Sequence, residues 1–390
     1  LINNSSILEK QLEISKIKKL YIYLSLKNLF SLKNIAINNV NLENANFNFN
    51  KKNYNFFIKL LDSDFSKSTF KIKDSNIFYR NNDNQVLFIN KITKMNYNYD
   101  PKELKNIIIS DNEIFNIPYS FSTYKNQEKK IFSIIKLNFL NLQIENELNN
   151  KGGLKKGSIN FLYNKKRSLA NYEVNQNSLI FNYFEKIKNS NFNYKGVVNF
   201  NPFFSNFIGK SDKIDLSFIF NTNAAFSQLL KTEILNNKNL NINMSINSNQ
   251  IQNYKSFVNI SLESKIEEGL IDIDNTKFSW NNFADFEMSD TLIYVKDNQL
   301  ILDGKLIIDI VNLNKVYKYM LTPKKNRLKI KKVMLNIKYN FDQKILIMNN
   351  VQIDNQTNQK VGEALQSLIF KNDNLQNKIY LKKIFNAAIK

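Results

Sequence analysis

The 390-residue chain contains no histidine and no cysteine. Without cysteine there is no disulfide, thiolate nucleophile, cysteine zinc site or iron–sulfur cluster. Without histidine, the Ser-His-Asp and Cys-His arrangements are excluded, along with the commonest metal ligand and the near-neutral proton shuttle. Most hydrolase, dehydrogenase and metalloenzyme classes fall with these two absences. Glycine and proline are scarce, at 8 and 4 residues, so asparagine and aspartate must make most of the turns. Arginine occurs only at Arg80, Arg167 and Arg327. Long apolar runs are missing as well. The longest, KLIIDIV (305–311) and NIIIS (106–110), fall far short of the ~18 residues that a membrane-spanning helix needs. The chain begins at Leu1, so any signal or anchor is expected upstream of it.

What is abundant is lysine, asparagine, isoleucine, phenylalanine and tyrosine. All have A/T-rich codons, so part of the lysine excess is mutational. Lys+Arg 55 against Asp+Glu 34 gives +21, a balance that ordinarily points to nucleic acid or an anionic membrane. Nucleic-acid recognition favours arginine for bidentate contacts, and three scattered arginines do not form such a surface. The only dense basic run, KKNRLKIKK (324–332), reads as a loop entering a strand, with a membrane-surface patch as the alternative. The 43% of hydrophobic residues can fill a sizeable core.

Period-two alternation dominates. Ile159/Phe161/Tyr163, Leu216/Phe218/Phe220, Leu240/Ile242/Met244/Ile246, Val258/Ile260/Leu262 and Val333/Leu335/Ile337/Tyr339 all alternate with Asn, Lys, Ser or Asp. Such strands bury one face and wet the other, as antiparallel sheets do. Roughly twenty strands of about five to eight residues are expected. NNDN (81–84), NNKGG (149–153), KDNQ (296–299) and DNQTNQ (354–359) read as turns. Within 34–49 the alternation slips by one residue, which marks a bulge or bend. Helical pattern is limited to 224–237, 54–63, 360–370 and the basic segment 377–390. GGLKKG (152–157) lacks the features of a phosphate loop. The acidic pairs Glu267/Glu268 and Asp272/Asp274 read as solvated strand and turn positions.

The sequence FKIKDSNIFYRNNDNQVLFINKITKMNYNY (70–99) runs strand, polar Asp-Ser-Asn turn, strand, then hairpin. IEEGLIDIDNTKFSW (266–280) and SLKNIAINNVNLENANFNF (31–49) repeat that grammar. It resembles the AsmA-like family of bacterial envelope proteins, which includes the TamB and YhdP types. The pattern is clearest over 17–100 and 255–355. The resemblance implies a mainly β fold: an elongated, curled antiparallel sheet forming an open groove, with a few short helices and a helical C-terminus. It implies a β-groove in two parts, 1–230 and 231–390, within one continuous architecture. It also implies a periplasmic protein anchored in the inner membrane through a segment absent from this chain. Its partners would be phospholipid, the membrane surface and other envelope proteins, with no nucleic acid. No enzyme activity, cofactor, metal or catalytic residue is implied.

Phe47, Phe49, Ile77, Tyr79, Leu240, Ile242, Met244, Ile246, Leu335, Ile337 and Tyr339 are the lipid-groove candidates, as large residues at alternate positions on what would be one face. Two other readings compete. An outer-membrane barrel or adhesin-like structure would want regular strands of about ten residues and aromatic girdles. A basic nucleic-acid-binding protein would draw on the net charge.

Overall fold

The computed structural model describes residues 1–390 except 10–11, 25–36, 51, 54–55, 57–68, 82–83, 101, 104, 127, 129, 150–154, 164–165, 176, 188–189, 201–202, 216–224, 233–236, 238–239, 359–369, 372–381, 383–384 and 387–390. Strand dominates, as the alternation predicts. The chain divides into two compact units, one of residues 1–183 and 197–203, the other of 184–196 and 204–390.

In the first unit, strands follow in chain order: β1 (Ile2–Glu9), β2 (Leu12–Leu24), β3 (Ile37–Phe49), β4 (Thr69–Arg80), β5 (Val86–Asp100) and β6 (Lys105–Ile114). β7 (Ile117–Lys125), β8 (Lys130–Leu137), β9 (Leu142–Asn149), β10 (Lys155–Tyr163), β11 (Lys166–Val174) and β12 (Ser178–Ile187) continue it. Each pairs with its predecessor. The unit is therefore a serial stack of strands in which contacts are local to chain neighbours, as in solenoid-like proteins.

The second unit holds β14 (Phe203–Ile214), which follows β13 (Ser190–Phe200), then β15 (Asn241–Ile251) and β16 (Tyr254–Glu267). The short β17 (Leu270–Asp272) and β18 (Lys277–Trp280) lead to β19 (Ala284–Lys296), β20 (Gln299–Ile310), β21 (Lys332–Asn340) and β22 (Ile345–Ile353). Two-residue β23 (Gln356–Thr357) and β24 (Phe370–Lys371) pair with β22.

The pairing is mostly antiparallel, as expected, but β3–β4 and β14–β15 are parallel. Parallel neighbours need a crossover of a dozen or more residues, and long connections, 50–68 and 215–240, precede β4 and β15. The second connection contains helix α1 (Ala225–Leu230), shorter than the helix expected over 224–237. Helix α2 (Leu313–Met320), between β20 and β21, was not anticipated. The strand expected at Leu216–Phe220 and the helices expected at 360–370 and 377–390 lie largely or wholly outside the described residues, as does most of 54–63.

Asparagine and aspartate do make the turns. Asp297–Asn298 and Asp354–Asn355 have positive φ at both positions, the signature of two-residue I′ hairpins. The same residue types kink strands from within. Asn4, Asn44 and Asp74 have φ near 50° inside β1, β3 and β4. What reads in sequence as a polar turn at Asp74-Ser75-Asn76 is thus a kink in an unbroken strand. The inward-facing pairs that flank it are three residues apart, Leu42/Ala45 and Ile72/Ser75. They meet Ile17/Leu20 of β2 and Ile92/Met95 of β5, also three apart. Each strand carries its extra residue at one level, so register survives and the strands bend together.

The residue after the kink is small and buried, and it repairs the ladder. Ala45 N–H donates to Ser75 Oγ at 2.9 Å, and the Ser75 hydroxyl donates to the Lys73 carbonyl at 2.8 Å. In the second unit, Asp290 (φ 50°) precedes Thr291. The Thr291 hydroxyl donates to the Ser289 carbonyl at 2.9 Å, and its N–H donates to Asp274 Oδ1 at 2.5 Å.

Candidate functional site

Cross-strand register gathers the apolar residues into rows. In the first unit, one row runs Leu20–Leu42–Ile72–Met95–Ser110–Phe121–Ile135–Ile144–Phe161, from β2 to β10. In the second, Ile242–Ile266–Ile271–Ile293–Leu302–Tyr339–Leu346 crosses β15 to β22. Each unit therefore has one sheet face that is apolar across many strands.

The opposite face is wet and carries ion pairs between directly opposed residues. Lys91–Glu113 (2.6 Å) and Lys156–Glu173 (2.6 Å) lie in the first unit. Lys277–Glu287 (3.0 Å) and Lys338–Asp303 (3.2 Å) lie in the second. Exposed pairs of this kind contribute only a few tenths of a kcal/mol, about 0.2–1 each. Their larger effect is to keep that face in water.

Closure of the apolar face varies along the first unit. At β2–β5 it is packed shut: Ile17, Leu42, Ala45, Phe47, Ile72 and Ile92 form one buried cluster. Ile77 packs against that cluster from the side. Phe49 and Tyr79 lie at its margin, 5.0 Å apart, with Tyr79 stacked on Phe88 at 4.2 Å. Burial holds the Tyr79 hydroxyl above its ordinary pKa. From β8 to β10 Ile131 stays buried, while Ile135, Ile144, Leu148 and Phe161 are partly exposed, as Leu20 and Met95 are on the earlier strands. Polar groups punctuate it in between. Tyr119 OH donates to Asn90 Oδ1 at 2.6 Å, and Asn112 Nδ2 donates to Ser110 Oγ at 2.8 Å. Tyr119 also has a pKa raised by burial. Further along, Tyr172 OH donates to Asn146 Oδ1 at 2.6 Å and its ring lies over Gly157.

The second unit is closed more thoroughly. Leu335, Ile337 and Tyr339 are in a buried cluster with Ile271, Leu300 and Phe341, and Leu240 and Ile242 pack against it. Leu230 of α1 reaches the same cluster. Lys231 pairs with Asp342, whose Oδ2 accepts from Leu300 N–H at 2.8 Å, fixing the helix to the β20 and β21 ends. Ile246 is buried on β15 and Met244 is half-buried. The eleven groove candidates thus fall into two faces: Phe47, Phe49, Ile77 and Tyr79 in the first unit, the other seven in the second. Ile135, Ile144 and Phe161 are not among the eleven candidates, because their partial exposure is a property of the packing.

The acidic pairs have structural work. Asp272 Oδ1 accepts from Asp274 N–H at 2.8 Å, Asp274 serves Thr291, and Glu268 stands at φ 49° in a tight turn before Gly269. No group of three or more metal-ligating side chains occurs among the described residues, and no described helix is long and apolar enough to cross a membrane. Comparison with known proteins finds no matching family model, curated protein or solved structure.

Proposed function

We propose that this is a non-enzymatic, AsmA-like protein of the bacterial envelope that holds phospholipid acyl chains against its apolar sheet face and conducts them between inner and outer membrane. The observation that carries the reading is the unbroken register of the first-unit row, which ends in the half-buried Ile135, Ile144 and Phe161. An acyl chain laid along that stretch gains about 0.8 kcal/mol for each methylene removed from water. The groove is assigned to β8–β10, where Ile135, Ile144 and Phe161 keep part of their surface exposed. Phe47, Leu335 and Ile337 serve as core that holds the sheet's curvature. Ion pairs on the opposite face argue against an outer-membrane barrel, which would turn that face to lipid. The carboxylates with structural partners, together with the missing histidine and cysteine, support a non-catalytic role.

Mass spectrometry of lipid extracted from the purified chain tests the reading. Phospholipid should co-purify, and Ile144→Asp should lower its amount severalfold while circular dichroism is unchanged. A lipid-free protein that binds no fluorescent phospholipid would sink the proposal and leave an ordinary packed core.

A further inference from the structure

Between Asn312 and Ile330 the sequence holds Lys315, Lys318, Lys324, Lys325, Arg327 and Lys329 and no carboxylate. All six cations are exposed. Residues 148–172 also carry six cations and no carboxylate, but there Lys156 and Arg167 pair with Glu173 and Glu145, whereas the cations of 312–330 form no ion pair among the described residues. The 312–330 segment is held by its own contacts and by others: Tyr319 packs on Trp280 at 4.9 Å, Phe385 lies 6.2 Å from the Tyr317 ring, and Asn386 Nδ2 donates to the Met320 carbonyl at 2.8 Å. Asn312 caps α2 by accepting from Lys315 N–H at 3.1 Å. Tyr317 is buried, its hydroxyl donates to the Leu328 carbonyl, and the Arg327 guanidinium sits 5.8 Å over its ring. Arg327 Nε donates to the Thr322 carbonyl at 3.2 Å. The loop after α2 is thereby folded back on the helix.

Against that ordered background, three large apolar side chains face solvent: Val311 at 59%, Leu321 at 70% and Leu328 at 51% exposure. Leu321 is the telling one. It ends α2 at φ 58°, ψ 37°, with Thr322 N–H donating to the Tyr317 carbonyl at 3.0 Å. That is a Schellman end, whose left-handed position favours glycine or asparagine. A leucine there is disfavoured by its backbone conformation and again by its exposure, so the fold gives no reason for it. Exposed leucines set among lysines are the chemistry of an interfacial membrane anchor.

We propose that α2 and the loop that follows it, through Leu321, Leu328 and the surrounding lysines, dock this unit on an anionic lipid bilayer. The inference rests on the lipid-handling reading only in taking lipid as the partner. Charge complementarity selects an anionic surface, and the exposed leucines with a single arginine select a bilayer over a nucleic acid.

The test is sedimentation of the full chain with phosphatidylcholine vesicles, with and without phosphatidylglycerol. Binding should require the anionic lipid and weaken between ~0.15 M and ~0.5 M salt. Leu321→Asn with Leu328→Ser should reduce partitioning about tenfold without lowering the melting temperature. Lys324→Gln with Lys325→Gln should reduce it about thirtyfold. Co-purified phospholipid should stay at the wild-type level in both variants, whereas Ile144→Asp should lose lipid and keep vesicle binding. Partitioning unchanged by both pairs of substitutions would overturn the proposal. So would a clear loss of stability on Leu321→Asn, which would make Leu321 structural. Binding of a DNA duplex tighter than anionic vesicles at ~0.15 M salt would overturn it in favour of a nucleic-acid surface.

Discussion

Gly304 offers the sharpest test of how the kinked strands fit together. It lies on β20 opposite the kink of β19, where pairing skips between Ser289↔Lys305 and Leu292↔Asp303. A Cβ at position 304 would meet Thr291 Oγ1 at 2.3 Å, Thr291 Cα at 2.5 Å and Thr291 Cβ at 2.6 Å. Two of these atoms cannot rotate away, so Gly304→Ala must push the strands apart. Overpacking of this kind costs about 1–3 kcal/mol. Displacing the Thr291 hydroxyl from the Ser289 carbonyl adds about 1 kcal/mol. The stiffer unfolded chain of an alanine returns about 0.5–1 kcal/mol. The expected net loss is about 2 kcal/mol, read as a lower urea midpoint. Trp280, the chain's one tryptophan, lies in the same unit, 4.8 Å from Phe283 and 4.9 Å from Tyr319, so its fluorescence reports this unfolding directly. Adding Thr291→Ala should recover only part of the loss, because the contact with the Thr291 Cα remains. A Gly304→Ala protein as stable as wild type would refute the account of close approach at the kink.

Three further outcomes follow from the geometry. Tyr79, Tyr119, Tyr194 and Tyr339 have pKa values raised by burial above the ordinary 10. The folded state therefore holds these protons more tightly, so stability should be full below pH ~10 and fall as the pH rises beyond it; denaturant titrations at about pH 7, 9 and 11 should show this, and an unchanged midpoint at pH 11 would count against it. Ser75→Val removes both the acceptor for Ala45 N–H and the donor to the Lys73 carbonyl, and should cost about 2–3 kcal/mol, measured by urea titration. Lys156→Ala, which breaks a pair that is 64% and 48% exposed, should change stability by less than ~0.5 kcal/mol.

Strand content was legible because alternation records which side chains share a face. The direction of pairing was not, since Leu42 and Ile72 alternate alike whether their strands run parallel or antiparallel. The kinks were visible as phase slips but were partly mistaken for turns. An asparagine or aspartate at positive φ makes both, and the distinguishing sign is its neighbour. Hairpins use one left-handed residue, as at Asn253, or two, as at Asp297–Asn298, whereas at the kinks Asn44, Asp74 and Asp290 the left-handed residue is followed by the small buried Ala45, Ser75 or Thr291. α2 also left a trace that was passed over: Leu313, Val316, Tyr317 and Met320 fall at helical spacing behind the capping Asn312. The candidate site was legible only as far as its face. Ile337 and Ile144 read identically in sequence, yet one is buried in the core and the other half-exposed, because closure depends on what other strands and α1 bring against the sheet.

The net charge of +21 is a weak guide to partners until its distribution is known. Along the sheets, opposed pairs such as Lys91–Glu113 and Lys338–Asp303 cancel locally, and lysines beyond those pairs are spread over wet strand faces. A charge spread in this way makes little local potential at physiological salt, where fields fade within about 8 Å. Six cations within 312–330, with no carboxylate among them, make a local field that the same number scattered over 390 residues would not. Residues 148–172 likewise carry six cations and no carboxylate, but there Lys156 and Arg167 are paired with Glu173 and Glu145, and codon bias does not set Leu321 in a conformation that suits glycine. The case for a membrane-facing end rests on that local coincidence of charge, exposure and backbone conformation, with the overall charge playing little part.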